Sequence, residues 1–177
     1  GTPSYPTYMI QTAAGRLILP NEYAYKQDSR RFPHNSMKLC TAFYSDDNGA
    51  SWSESADSIF VCEQDRGANA SFVEAPCVVE TADGRLLMFM RTEMQRIAQS
   101  YSSDGGVHWE QGVFNELLSS RSEIWIDRFP DTGDLLCVWN QVSAEETLSG
   151  FYRSRLSAAV STDCGASWQY FRTIVQT

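Results

Sequence analysis

Three copies of one octapeptide constrain the fold of this chain more than any other feature. All three share the pattern Ser-x-Asp-x-Gly-x-x-Trp, and they occupy residues 45–52, 102–109 and 161–168. The first serines of successive copies are 57 and 59 residues apart. A four-position pattern that recurs at a nearly constant period indicates a protein built from similar structural units in series.

The residue types of the octapeptide predict a tight turn between two strands. The Asp side chain can accept hydrogen bonds from the backbone amides that follow it, and the Gly can adopt a positive φ at no steric cost. The Trp then returns to the sheet and packs over the turn. Calcium binding by the Asp residues is the functional alternative, but each copy offers too few oxygen ligands for a Ca²⁺ site. We therefore interpret the octapeptide as structural.

A second turn, marked by Gly15, Gly84 or Gly133, precedes each octapeptide and lies between two apolar runs. A third apolar run enters the octapeptide and a fourth leaves it, which predicts four antiparallel strands per repeat. No segment shows sustained helical periodicity, and residues 25–37 are expected to form a polar loop.

Four-stranded units in series are typical of a β-propeller. We therefore predict an all-β chain, a single segment spanning residues 1–177. Its three blades, four-stranded and antiparallel, are expected at about residues 5–64, 72–120 and 121–177.

Charge and composition disfavour several classes of function. The chain has 14 Lys and Arg against 22 Asp and Glu, a net charge of −8, whereas nucleic-acid binding depends on cationic surfaces. No apolar run approaches the length of about 20 residues that a membrane span needs. No signal peptide is visible, so a soluble protein of unknown localisation is expected.

The five Cys form no CxxC pair and there are only two His. Free thiols without a metal site or cofactor are therefore expected, with a disulfide as the alternative.

The octapeptides resemble the Asp boxes, or BNR repeats, of the sialidase (neuraminidase) superfamily. The resemblance covers essentially the whole chain and implies about half of a six-bladed propeller. Because Asp boxes also occur in other propellers, the polar residues between the boxes carry the argument for function.

Glu74 and Arg91 are the first such residues. Glu74 lies at the beginning of one apolar run, and Arg91 follows the next run, 17 residues later. Because the chain reverses direction between them, we expect both at the same end of a blade, as an ion pair. The resemblance implies that Glu74 is the catalytic base for a Tyr nucleophile and that Arg91 binds the substrate carboxylate. The alternative is purely structural, with Glu74 pairing with a neighbour and Arg91 solvated.

Arg153 lies eight residues before the first serine of the third octapeptide. The resemblance implies that it is a second substrate-binding arginine, with Arg155 as the alternative; either residue could also be surface charge. Guanidinium groups bind carboxylates in a bidentate fork, so sialic acid or another anionic glycan is the expected ligand.

The resemblance is incomplete for catalysis. Arg16, Arg30 and Arg31 lack the context of the family's upstream arginine, no Asp matches its acid, and the Tyr nucleophile is expected beyond Thr177. We therefore expect a sialidase-like glycoside hydrolase segment with part of a sialic-acid site, incomplete for catalysis by itself. The alternative is a non-catalytic glycan-binding or structural half-propeller that self-associates, two copies closing a six-bladed ring as a homodimer.

Overall fold

The computed structural model describes residues 2–6, 8–26, 36–62, 70–71 and 73–177. These residues form antiparallel sheets, with one short helix among them. The first sheet contains strands β1 (Thr2–Pro6), β2 (Ile10–Gln11), β3 (Leu17–Lys26), β4 (Ser36–Ser45) and β5 (Ser53–Glu54). Its order is β1–β3–β4–β5, and β2 also pairs with β3. A small two-stranded sheet follows, formed by β6 (Val61–Cys62) and β7 (Ala70–Ser71).

The second sheet has seven strands in the order β14–β13–β12–β11–β10–β9–β8. These are β8 (Val73–Glu80), β9 (Leu86–Thr92), β10 (Arg96–Ser102), β11 (Val113–Arg128), β12 (Leu135–Gln141), β13 (Arg155–Ser161) and β14 (Gln169–Gln176). The beginning of β11 pairs with β10 and the remainder with β12. We call β1–β5 the first unit, β8–β10 with the beginning of β11 the second unit, and the rest of β11 with β12–β14 the third unit.

Two apolar cores lie between successive units. Strand β9 shows how the sequence builds them, because its side chains alternate between the two faces of the sheet. Met88 and Met90 belong to the core shared with the first unit, whereas Leu87 and Phe89 belong to the core shared with the third. All four are fully buried. The second unit is therefore covered on both faces, which explains the continuous apolar runs at residues 77–79 of β8 and 86–90 of β9.

Two features depart from the sequence-based expectation. Helix α1 (Ala144–Leu148) interrupts the third unit; it is a single turn closed by a capping box between Ser143 and Glu146. Five residues are too few to produce a helical period. In addition, β3 continues to Lys26 and β4 starts at Ser36, so both ends of the loop expected over 25–37 are strand. Residues 27–35 lie outside the described residues.

The described helical segment is far too short to cross a bilayer. The side chains of Cys40, Cys77 and Cys137 are buried free thiols and Cys164 is a half-buried one. Burial raises the pKa of Cys77 to about 12. The Cys62 side chain lies outside the described part of the chain.

Candidate functional site

The three octapeptides form the same turn, as predicted. In each, the Ser Oγ accepts a hydrogen bond from the Gly amide, at 2.9, 2.8 and 2.8 Å, and donates one to an Asp oxygen, at 2.8, 2.9 and 2.7 Å. The amide of the seventh residue donates to the same Asp oxygen. Hydrogen bonds from Ser51 lower the pKa of Asp47 to about 2. The Asp residues therefore serve the turn itself.

The residue before the Gly also has positive φ in every copy, for example 56° at Asn48 and 60° at Cys164. The octapeptide pattern did not reveal this requirement, because the three residues at this position differ. Among the described residues, no three His, Cys, Asp or Glu side chains come together as a metal site would require.

The opposite end of the sheets holds the candidate site, about 17 Å from the turns, which is the length of β9 from Leu86 to Arg91. Glu74 and Arg91 are direct partners in the β8–β9 register. The Glu74 side chain is only 1% exposed, and its Oε2 accepts a hydrogen bond from Arg91 Nε at 3.0 Å. The ion pair expected between these two residues is therefore present.

Two further cations contact Glu74, and neither is predicted from the sequence. Lys38 Nζ, from β4, lies 2.9 Å from Glu74 Oε1. Arg121, from β11, is bidentate: its Nε lies 3.0 Å from Oε2 and its Nη2 2.5 Å from Oε1. Lys38 and Arg121 are far from Glu74 along the chain, so no local spacing links them to it. One available signal was the polar stretch around Arg121, at the point where the third repeat begins.

A second buried carboxylate supports this arrangement. Glu22, from β3, accepts hydrogen bonds from Lys38 Nζ at 3.1 Å and from the Ala75 amide at 2.7 Å. Ala75 has a φ of 45° and lies where the β8–β9 register shifts between Glu74 and Cys77. Positive φ in a non-glycine residue is costly and persists only where the surroundings enforce it. The Glu22 hydrogen bond supplies part of that enforcement and fixes the backbone next to Glu74.

The electrostatics of the cluster favour the ionised form of Glu74. Burial by itself raises the pKa of this carboxyl, but hydrogen bonds and charges from Arg121 and Lys38 outweigh burial and lower it to about 2. The pKa of Lys38 is raised, because its two carboxylate partners outweigh the opposing effect of burial. Glu74 is therefore an anion throughout the physiological pH range.

Two exposed carboxylates complete the cluster on its solvent side. Arg91 Nη1 lies 2.8 Å from Glu123 Oε1, and Arg121 Nη1 lies 2.6 Å from Glu93 Oε1. The Glu123 side chain is 71% exposed and that of Glu93 is 45% exposed. Each arginine thus lies between the buried Glu74 and a glutamate that is open to solvent.

Arg153 and Arg155 have different partners in the structure. The exposed Arg153 donates a hydrogen bond from Nη2 to the backbone oxygen of Arg121 at 2.9 Å, which places it beside the cluster. Arg155 instead pairs with Glu146 of helix α1 at 2.6 Å. Of the two alternatives, Arg153 is the one that contacts a residue of the Glu74 cluster.

The domain model of the BNR repeat-like family matches residues 5–177. The chain belongs to this family. The matched residues contain all three Asp-box turns. A search of the curated proteins gives no match.

This BNR repeat-like chain shares its fold with solved sialidase and trans-sialidase structures. It is similar to the NanB sialidase from Streptococcus pneumoniae, with 18% identity over 94% of this chain and a TM-score of 0.65. The intramolecular trans-sialidase from Ruminococcus gnavus has 21% identity over 94% and a TM-score of 0.62. The Trypanosoma rangeli sialidase has 16% identity over 93% and a TM-score of 0.61. This chain spans 23%, 33% and 24% of those three chains. At such identities the similarity concerns the fold.

Proposed function

We propose that this chain is a sialidase-like glycoside hydrolase segment whose Glu74 cluster is part of a sialic-acid site. The observation that carries the proposal is that one buried carboxylate holds Lys38, Arg91 and Arg121 together at one end of the sheets. A fixed group of cations is suited to binding a carboxylated sugar. In this proposal the three units are three blades of a six-bladed propeller.

Arg91 and Arg153 are the proposed substrate-binding residues. Arg91 is held on Glu74 and its side chain is still 20% exposed. Arg153 is exposed and donates to the Arg121 carbonyl. Both guanidinium groups are oriented by protein acceptors before a ligand arrives. Such preorganisation reduces the entropy that binding would otherwise cost.

The proposed role of Glu74 as the base for a Tyr nucleophile requires a change in its surroundings. A general base works best when its pKa is near the operating pH, whereas the pKa of Glu74 is lowered to about 2. In the present arrangement Glu74 is a weak base that positions cations. We therefore propose that this chain by itself binds the sugar without efficient turnover.

Titration of the chain with N-acetylneuraminate, followed by calorimetry or protein NMR, tests the proposal. Binding is expected for the acid and not for its methyl ester, because the ester lacks the anionic carboxylate. Arg91→Gln is expected to weaken binding, whereas Arg172→Gln, which removes an exposed arginine of β14, is the matched control. Equal binding of acid and ester, or no binding by any form of the chain, would overturn the proposal. A fluorogenic sialoside, on the same sample, measures turnover.

A structural role through self-association is the second candidate, and the first Asp box favours it. The Trp109 amide donates to Asp57, just after β5 of the first unit, and the Trp168 amide donates to Glu116 of the second unit. Both indoles are only 6% exposed. Trp52, on the open side of the first unit, is 40% exposed. In this proposal the third unit of a second copy covers Trp52, closing a six-bladed ring.

Light scattering tests the second candidate. A mass near twice 19.9 kDa, reduced to that of a monomer by Trp52→Glu, is the result expected for a homodimer. A monomer at all accessible concentrations would contradict it and leave the sugar-binding proposal unaffected.

A further inference from the structure

Arg91 and Arg121 are held in the same way, although only Arg91 is expected from the sequence. Each directs its Nε towards Glu74 Oε2, at 3.0 Å in both cases, so the two Nε atoms lie within about 6 Å of each other. Each directs Nη1 outward, where Glu123 or Glu93 accepts. The two arginines therefore form a matched pair around one buried carboxylate.

The inner and outer partners of this pair differ in how easily they can be replaced. Glu74 is almost completely buried, and removing a partner from a buried ion pair is strongly unfavourable. Glu93 and Glu123 are exposed, and exposed ion pairs contribute little because water screens them and their side chains lose entropy on pairing. An incoming anion can therefore take the places of Glu93 and Glu123 while Glu74 keeps both guanidinium groups in position.

We propose that Arg121 is a further carboxylate-binding residue and that Glu93 and Glu123 occupy the ligand's position until the ligand displaces them. The ligand is a sugar carboxylate, which bridges the outward Nη1 atoms of Arg91 and Arg121. The proposal rests on the proposed function and adds an intramolecular competitor to it. The two glutamates compete with the ligand, because an anion must bind Arg91 and Arg121 more strongly than they do in order to displace them.

The rest of the cluster keeps the inner partner fixed during this exchange. Lys38 bridges Glu74 and Glu22, and Glu22 is held by the Ala75 amide. Glu74 therefore cannot follow the arginines outward. Arg121 also positions Arg153 through its backbone oxygen, and Glu123, two residues later in β11, contacts Arg91. Residues 121–123 of β11 therefore supply or contact the guanidinium groups of Arg91, Arg121 and Arg153.

The test compares the affinity of wild-type protein and variants for N-acetylneuraminate at low ionic strength. Glu93→Gln and Glu123→Gln are expected to bind about 3- to 10-fold more tightly, since each removes an exposed competitor worth little to folding. Glu54→Gln removes the same charge from the exposed strand β5 at the other end of the first sheet, and is the matched control, with unchanged affinity expected.

The role of Arg121 is tested separately. Arg121→Lys keeps a cation beside Glu74 but loses the planar fork, so it protects the fold while weakening binding about 10- to 100-fold, as expected for the loss of a charged hydrogen bond. Thermal unfolding of each variant reports whether the fold is retained.

The outcomes separate the two proposals. Wild-type binding with no change in Arg121→Lys, or with no tightening in the glutamate variants beyond the Glu54→Gln control, overturns this inference and leaves the proposed function standing. Binding by the glutamate variants but not by the wild type supports the competitor role directly. Binding by no variant overturns both proposals.

Discussion

The two ends of the sheets are built by different means. At the Asp-box end, the Asp carboxylate of the shared pattern in each turn accepts its hydrogen bonds from residues within four positions along the chain, as Asp163 does from Ser161 and Ser167. At the other end, Glu74 is satisfied by Lys38, Arg91 and Arg121, which lie on three different strands. The Asp-box end repeats one set of local hydrogen bonds three times, whereas the Glu74 cluster forms only when the units pack together.

Because of this difference, function is to be sought at the cluster end of the sheets. A local turn costs little to form and can be repeated in every unit, so it serves structure. A buried charge cluster pays a desolvation cost that only complete pairing offsets. An arrangement of that kind is a candidate site because the same cations can bind a ligand's charge. Substitutions at either end test this contrast.

At the Asp-box end, Trp109 and Trp52 occupy the same position of the pattern in different surroundings. Trp109→Ala removes a buried side chain from the core between the first and second units and is expected to destabilise the chain by about 3–5 kcal/mol. Trp52→Ala, at an indole that is 40% exposed, is expected to cost about 1–2 kcal/mol. Urea unfolding of both variants measures the difference. Equal losses would mean that the turn, and not the packing between units, determines the contribution of the Trp.

At the cluster end, Glu74→Gln is expected to destabilise the chain by about 2–4 kcal/mol, because three cations lose their shared anion. Glu123→Gln removes an exposed partner of Arg91 and is expected to change the free energy of unfolding by less than about 1 kcal/mol. Denaturant unfolding near neutral pH measures both. If Glu74→Gln is as mild as Glu123→Gln, the cluster does not hold the units together.

Two glycines with the same backbone requirement isolate the cost of packing at the turns. Gly165 has a φ of 90° and a Cβ there would overlap Leu87 Cδ2, whereas Gly84 has a φ of 83° and open space around it. Gly84→Ala is expected to cost about 1 kcal/mol for backbone strain, and Gly165→Ala about 2–4 kcal/mol, since overpacking adds to the strain. The difference in unfolding midpoint is the measurement, and similar midpoints would contradict the tight contact between the third box and β9.

Acid is expected to weaken the cluster in a predictable direction. The folded pKa of Glu74, about 2, lies below its ordinary value of 4.5. Its stabilisation is therefore complete above about pH 5 and is lost as the pH falls from there towards 2. Lowering the pH from 6 to 3 is expected to remove about 2 kcal/mol through this group. Unfolding free energies of wild type and Glu74→Gln across this range measure it, because the variant lacks this component while the Asp-box carboxylates titrate in both. Parallel pH profiles would show that Glu74 is not held ionised by its neighbours.

Some of the fold and site could be predicted because their determinants are close together in the sequence. The Glu74–Arg91 pair follows from a single hairpin, because the turn and the strand lengths determine which residues of β8 and β9 are paired. Helix α1 was missed because a single turn leaves no period, although Ser143 and Glu146 carry its capping box. Lys38 and Arg121 were missed because their contact with Glu74 depends on packing between units.

The repeat, the turns and the alternation of apolar residues can be predicted from the amino-acid order, since hydrogen bonds within four residues and strand periodicity depend only on neighbouring residues. Which charges meet depends on how the strands pack in three dimensions. Packing brings Lys38 and Arg121 to Glu74, places Arg153 on the Arg121 carbonyl and pairs Arg155 with Glu146. Electrostatic pairing in a buried site depends on the distance between the charges in space and on the exclusion of water. Local sequence specifies neither.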